Sequence, residues 1–214
     1  MRLPLFNRLK NRLHKDTALL QDEIVDIVYS VEPSAVLHGG TAVWRCYSSN
    51  RFSEDLDFYL GSGKAFKEKF LPVIESRNLS LQKFKQTKTT IFSKIAIGNA
   101  EVRFEAALRK PDKIVVASYE KVDGTFLSIF TLAPEDLLLE KISAFENRRL
   151  ARDLYDIVSL LPFVRDETAV KSKALAFVES AEKPVDEKAL KALVFSGAIP
   201  SFEQAIAIIK RRFK

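Results

Sequence analysis

Cysteine is almost missing from these 214 residues, with Cys46 standing alone. A single cysteine makes neither an internal disulfide nor a multi-cysteine metal site, which excludes a disulfide-stapled scaffold and a zinc finger and points to a reducing cytoplasm. Histidine is scarce as well, and the two present, His14 and His38, lack the paired spacing of a zinc site. Long hydrophobic runs are absent: stretches such as 129–134 and 205–209 fall far short of the roughly 20 residues that span a bilayer, so no membrane helix is expected. The N-terminal leucines alternate with Arg2, Arg8, Lys10 and Arg12, leaving no continuous apolar segment for a secretory signal. Polar low-complexity tracts are missing too. With 47% hydrophobic residues the chain has enough apolar surface to offset its ordering entropy, which excludes a disordered protein.

What is present begins with charge. The net charge of +6 favours anionic partners without choosing among RNA, nucleotide and membrane surface. Residues 2–15 carry five Lys or Arg and no acid, and the chain ends Lys210-Arg211-Arg212-Phe213-Lys214. Such ends are read either as solubilising charge or as a nucleic-acid contact.

Apolar spacing near 3.6 predicts an amphipathic helix over 16–31, capped by Asp16 or Thr17. After Pro33, residues 35–37 read as a short buried strand, broken by Gly39-Gly40 before a helix from Thr41 to about Tyr47. In 55–60, acidic and apolar residues alternate with period two, which predicts a strand with Asp55 and Asp57 on one face. A helix over 64–77 and strands at 79–85, 88–98, 101–108 and 113–131, the last interrupted at Gly124, complete an α+β region. From Pro134 the pattern is helical, in segments 134–147, 149–161, 166–182, 186–196 and 201–213. The expected organisation is an α+β lobe with a mixed sheet over 1–132 and a helical lobe over 133–214, packed as one unit.

The densest polar cluster is His38-Gly39-Gly40-Thr41 followed by Arg51-x-Ser53-x-Asp55-x-Asp57. Two carboxylates on one strand face repel each other, and a divalent cation relieves that repulsion; hard oxygen ligands suit Mg²⁺ or Mn²⁺ bridging to phosphates. A glycine pair at a strand-to-helix turn lets backbone N–H groups approach phosphate oxygens, with the helix dipole adding favourable charge. Gly61-Ser62-Gly63-Lys64 is read as a loop and not a P-loop, because Phe58 and Ala65 stand where that motif needs Gly and Ser or Thr. Trp44 and Cys46 are read as core or pocket wall, and His38 as lining the pocket or as structural.

In this order and spacing, the glycine pair and Asp-x-Asp resemble the signature of the nucleotidyltransferase superfamily. More narrowly, Leu37-His38-Gly39-Gly40-Thr41-Ala42 with Arg51-Phe52-Ser53-Glu54-Asp55-Leu56-Asp57-Phe58 resembles the AbiEii/AbiGii family of type IV toxins. A second block, Leu139-Glu140-Lys141-Ile142-Ser143-Ala144 and then Arg148-Arg149-x-x-Arg152-Asp153-Leu154-Tyr155-Asp156-Ile157, fits the same family. Arg149, Asp153 and Asp156 have helical spacings that would place them on one face.

The resemblance implies a metal-dependent nucleotidyltransferase that moves a nucleoside monophosphate from an NTP to an acceptor and releases pyrophosphate. Asp55, Asp57 and Glu105 would hold Mg²⁺ or Mn²⁺, Glu105 standing where the family more often carries Asp, with Glu101 as its competitor. Gly39, Gly40, Thr41 and Ser53 would bind phosphate oxygens, and Lys141 would neutralise charge on the pyrophosphate. Arg51 either contacts phosphate or anchors its loop; Asp153 either orients Lys141 or serves near the acceptor. The family implies tRNA as acceptor and a cognate antitoxin as partner. The alternatives are a small-molecule acceptor of the antibiotic type, a protein acceptor, or a non-catalytic nucleotide- or RNA-binding protein.

Overall fold

The computed structural model describes residues 3–214, which leaves Arg2 of the N-terminal basic run outside the described residues. Among these, a short helix α1 (Leu5–Arg8) precedes α2 (Arg12–Val31), and then come β1 (Val36–His38), α3 (Gly39–Cys46), β2 (Leu56–Tyr59) and α4 (Gly63–Ser76). Five strands follow, β3 (Ser80–Gln86), β4 (Thr90–Ile97), β5 (Ala100–Ala107), β6 (Val115–Glu120) and β7 (Phe126–Thr131). The chain finishes with α5 (Pro134–Arg148), α6 (Ala151–Leu160), α7 (Glu167–Ser180), α8 (Leu190–Leu193) and α9 (Phe202–Phe213). The seven strands form one mixed sheet in the order β3-β4-β5-β2-β1-β7-β6, parallel at β1/β7 and β2/β5 and antiparallel elsewhere.

Period two on β2 and β5 sets the two sides of the sheet centre. Leu56 and Phe58 are fully buried while Asp57 alternates with them, and Val102, Phe104 and Ala106 are buried while Arg103 and Glu105 face the other way. On the buried side α4 contributes Phe66 and Phe70, which pack on Phe104 with ring centroids 5.7 and 5.4 Å away; Phe58 lies 5.6 Å from the same ring. Gly63 opens α4 because a Cβ there would come within 2.6 Å of Leu108, so the 61–64 segment, read as a loop, ends inside the first turn of a helix.

Helix α2 starts earlier than expected. Its N-cap is Asn11, whose side chain accepts from the Leu13 N–H at 2.8 Å, and neither Asp16 nor Thr17 caps it. Helix α5 follows its signals, with Pro134 in the first turn beside Glu135 and Asp136. It ends because Arg149 takes a left-handed conformation (φ 52°), and α6 begins only at Ala151, whose N–H is capped by Asp186 at 2.6 Å. Arg149 therefore does not share a helix face with Asp153 and Asp156, as its spacing had implied; it bonds Glu182 and the Lys183 carbonyl.

The segment expected as a helix over 186–196 is instead a 3₁₀ turn, Glu187–Ala189, and the single-turn α8. Tertiary pairing decides this. Phe52 N–H donates to Leu193 O at 2.9 Å, Phe195 N–H donates to Asn50 O at 3.0 Å, and Arg51 bridges Val194, drawing 193–195 out alongside the 50–52 loop. One continuous hydrophobic cluster runs from Leu20 on α2 through Phe104 on the sheet to Phe213 on α9, so the sheet and the C-terminal helices share a core. No described helix is long and apolar enough to cross a membrane.

Phe104→Ala removes the ring at the centre of this aromatic stack and should lower unfolding free energy by about 3–5 kcal/mol. Urea unfolding followed by circular dichroism measures it.

Candidate active site

Four carboxylates and four cations line a cleft of about 400 Å³. Its sheet wall is set by register: β2 runs parallel to β5 with Asp57 beside Glu105, so both project from the same face, and Asp55 precedes them on β2's entry. Its opposite wall is helical, where Glu140, Lys141, Ala144 and Arg148 recur at the period of α5 and Arg152 follows on α6. His38, Gly39, Gly40 and Ser53 close the end.

The glycines are required by close approach. Gly39 has φ 70°, and a Cβ on it would overlap the Asp57 carboxylate; one on Gly40 would lie 2.5 Å from Ser53 Oγ and 2.6 Å from the Arg51 guanidinium. The turn they make opens α3, whose first N–H groups have no partner within the helix and so face incoming anions. Thr41 and Arg51, both read as phosphate contacts, are turned away from the cleft. Thr41 is fully buried and its hydroxyl donates to the Asp55 carbonyl at 2.5 Å. Arg51 is buried with both ends committed: Nε and Nη2 donate to the two oxygens of Asp156 at 2.8 Å each, and Nη1 donates to Phe52 O at 2.9 Å. Of its two proposed roles the geometry gives Arg51 the loop anchor.

Asp156 is shared. Lys141 Nζ stands 2.8 Å from its Oδ2 and 3.7 Å from Asp153 Oδ1, while Arg148 makes a two-point contact to Asp153 at 2.7 and 2.8 Å. Burial would raise the Asp156 carboxyl, but the adjacent Arg51 and Lys141 charges outweigh it and hold the group below its ordinary value. Asp153 is fully buried and lies outside the cleft lining, and of the two aspartates Asp156 stands nearer to Lys141.

The acids respond oppositely. Burial pushes the Asp57 carboxyl above its ordinary value, with Asp55 and Glu140 pushing the same way against His38 and Lys141. Glu105 is raised by burial and then by Asp57 and Asp55. Glu101, its competitor, pairs with Lys94 at 2.6 Å and does not line the cleft. Among the described residues no group of three or more His, Cys, Asp or Glu is gathered to hold a metal ion as it stands; Arg103 engages both oxygens of Asp55 at 2.6 and 2.8 Å. The donor chemistry nonetheless suits a hard divalent cation: the acids are oxygen donors side by side, and the raised Asp57 and Glu105 mark a place where added positive charge is favourable.

Sequence reading missed Arg103, Arg148, Arg152 and Glu140 as cleft residues. Their signal was periodicity, two from Glu105 for Arg103 and steps of four through Ala144 for Glu140 and Arg148. The Nε of Arg152 is buried without a hydrogen-bond partner. His38 stacks on Tyr59 with centroids 4.0 Å apart and meets Glu140 at 3.2 Å, so it both lines the cleft and braces it. Trp44 is buried against Phe52, and burial pushes the Cys46 thiol up to about 12, which suits packing and not nucleophilic attack. A larger groove of about 1170 Å³ beside α2 and the β4–β5 turn contains no comparable set; its Arg77 pairs with Glu23.

Strand, glycine turn and neighbouring carboxylates thus meet in one cleft, as expected from the resemblance to the nucleotidyltransferases. The family model for the nucleotidyl transferase AbiEii toxin of type IV toxin–antitoxin systems matches residues 27–208, and the chain belongs to that family. Its fold is similar to that of MenT4, a nucleotidyltransferase toxin from Mycobacterium tuberculosis H37Rv, with TM-score 0.60 and 18% identity over 95% of this chain and 84% of that one. JHP933 from Helicobacter pylori is similar at TM-score 0.59 and 21% identity, over 92% of this chain and 90% of that one. No curated protein matches the sequence. The chain is thus an NTP-dependent nucleotidyltransferase of a toxin family.

Two outcomes follow from these charges. Because folding raises the Asp57 carboxyl above its unfolded value, the native state loses stability as pH rises from about 4 through the native value. Asp57→Asn should therefore raise Tm at pH 7, and the gain should vanish below about pH 4, measured by thermal melts across pH. Arg51→Ala leaves Asp156 buried with one partner fewer and should destabilise by about 3 kcal/mol in urea.

Proposed function

We propose that this protein transfers a nucleoside monophosphate from an NTP to tRNA with the help of Mg²⁺ or Mn²⁺, as a toxin restrained by a cognate antitoxin in the cytoplasm. The observation that carries the reading is the two-sided cleft, with Asp55, Asp57 and Glu105 from the sheet lobe (1–132) facing Lys141, Arg148 and Arg152 from the helical lobe (133–214). A metal–triphosphate has that polarity.

Asp55, Asp57 and Glu105 would hold the cation. When bound it polarises the α-phosphoryl group and eases loss of the acceptor hydroxyl's proton. The chain's own groups do the remainder. Backbone N–H groups at the Gly39-Gly40 turn, with Ser53, bind phosphate oxygens and align them. Lys141, held by Asp156 and Asp153, faces the acids from the helical wall and would neutralise the negative charge that grows on the departing pyrophosphate, with Arg148 and Arg152 extending that field. Lys141 and Arg148 are preset by buried carboxylates, so little reorganisation is left for the helical side of the cleft.

For the acceptor, the family supports tRNA and the basic ends are compatible with it. Arg8 and Arg212 are engaged by Glu120 and Glu167, whereas Lys10, Arg12, Lys210, Arg211 and Lys214 remain exposed for a phosphate backbone. Incubating the protein with total tRNA, Mg²⁺ and each α-³²P-labelled NTP in turn should label tRNA with wild type, and Asp57→Ala should lose the label while keeping the fold. Label that appears on a small molecule or protein instead, or near wild-type transfer by Asp57→Ala, would overturn the tRNA or the metal assignment respectively.

A further inference from the structure

Of the four cations lining the cleft, Arg103 is the one hydrogen-bonded to the acidic set. Its Nε donates to Asp55 Oδ1 at 2.8 Å and its Nη2 to Oδ2 at 2.6 Å, so both oxygens that Asp55 could offer a metal are already engaged. Sheet register produces the pair. Leu56 lies beside Phe104 and Asp57 beside Glu105, which makes Asp55 and Arg103, one step earlier on parallel strands, neighbours on the same face. β5 therefore shows the cleft a cation and then an acid, two residues apart.

The other cations are committed elsewhere or stand across the cleft. Lys141 and Arg148 pair with buried Asp156 and Asp153, and Arg152 comes from α6. Arg103 is different in its position: it stands on the acidic wall itself, its side chain is 46% exposed, and it lies between the cleft and a smaller cavity of about 180 Å³ lined by His14, Thr17, Phe52, Glu54 and Glu101. Water reaches both partners, which lowers the cost of exchanging one counter-ion for another, and the adjoining cavity gives the guanidinium somewhere to go.

We propose that Arg103 is the resident counter-ion of the acidic cluster, occupying Asp55 until a metal–triphosphate takes its place, whereupon Asp55 turns to the cation and the guanidinium to a phosphate oxygen. The proposal rests on the metal and nucleotide reading of the same cleft. Metal arriving alone meets a competitor for Asp55. Metal arriving with triphosphate supplies a new partner for each charge set free, since a guanidinium bonds phosphate as well as it bonds carboxylate. Arg103 thereby couples the two binding events, favouring the metal–nucleotide complex over the bare ion. It is a positioning residue, acting through Asp55.

Mn²⁺ binding without nucleotide, read from the EPR signal of the free ion, tests this on wild type, Arg103→Gln and Arg103→Lys, with thermal melts confirming that each is folded. Arg103→Gln should bind Mn²⁺ about fivefold or more tightly than wild type, with Arg103→Lys between them, the order expected for removing an exposed competing charge. In the same melts Arg103→Gln should unfold at lower temperature without metal, and saturating Mn²⁺ should restore it. A merely structural Arg103 predicts the opposite, unchanged or weaker metal binding, and that result from folded Arg103→Gln overturns the counter-ion role while leaving the transferase reading intact. Failure of Mn²⁺ to bind either protein overturns it together with the metal assignment.

Discussion

Asp156, buried between Arg51 and Lys141, holds the two walls of the candidate site in one piece. Arg51 arrives on the loop before β2, Lys141 on α5 and Asp156 on α6, so three segments distant in sequence meet at one carboxylate. Desolvating three charges is costly, and removing any one leaves its partners buried and incompletely compensated, which makes the arrangement unforgiving of change. Its position explains why. The loop that Arg51 pins carries Ser53 into the cleft, and the lysine that Asp156 steadies is the cation facing the acids from the helical side.

The sheet side is built on the reverse principle. β2 and β5 are packed together by Phe58, Phe104, Phe66 and Phe70 on one face, and that packing forces Asp57 and Glu105 side by side on the other. Their mutual repulsion is the consequence of a register chosen by the core. Stability is surrendered locally where the charge is useful, as the raised Asp57 and Glu105 carboxyls record. Arg103 moderates the repulsion from within the same register.

Much of this was legible from local pattern. The glycine pair, the Asp-x-Asp alternation and the Pro134 helix start are each set by a residue's own stereochemistry or by a period of two or 3.6; Pro134 opens its helix as expected, while α3 already includes Gly39 and Gly40 and β2 begins at Leu56, one residue after Asp55. What failed depended on distant partners. Nothing near Arg149 marks it as a left-handed stop, because the stop is supported by Glu182 and the Lys183 carbonyl. Residues 186–196 have helical composition, yet pairing with the 50–52 loop draws out 193–195 and leaves only short turns before them.

The sequence by itself determined which groups are available and which neighbours share a face: carboxylates two apart on a strand, glycines at a turn, and Lys141 with its companions along a helix. Tertiary structure decided which of them meet. Thr41 and Arg51 sit in the motif but spend their side chains on Asp55's carbonyl and on Asp156, while Arg103, Arg148 and Arg152 enter the cleft from outside its first motif. The physical reason is range. Backbone preference and periodicity act over a few residues, whereas an ion pair is settled by whichever charges the packed core brings within a few ångströms.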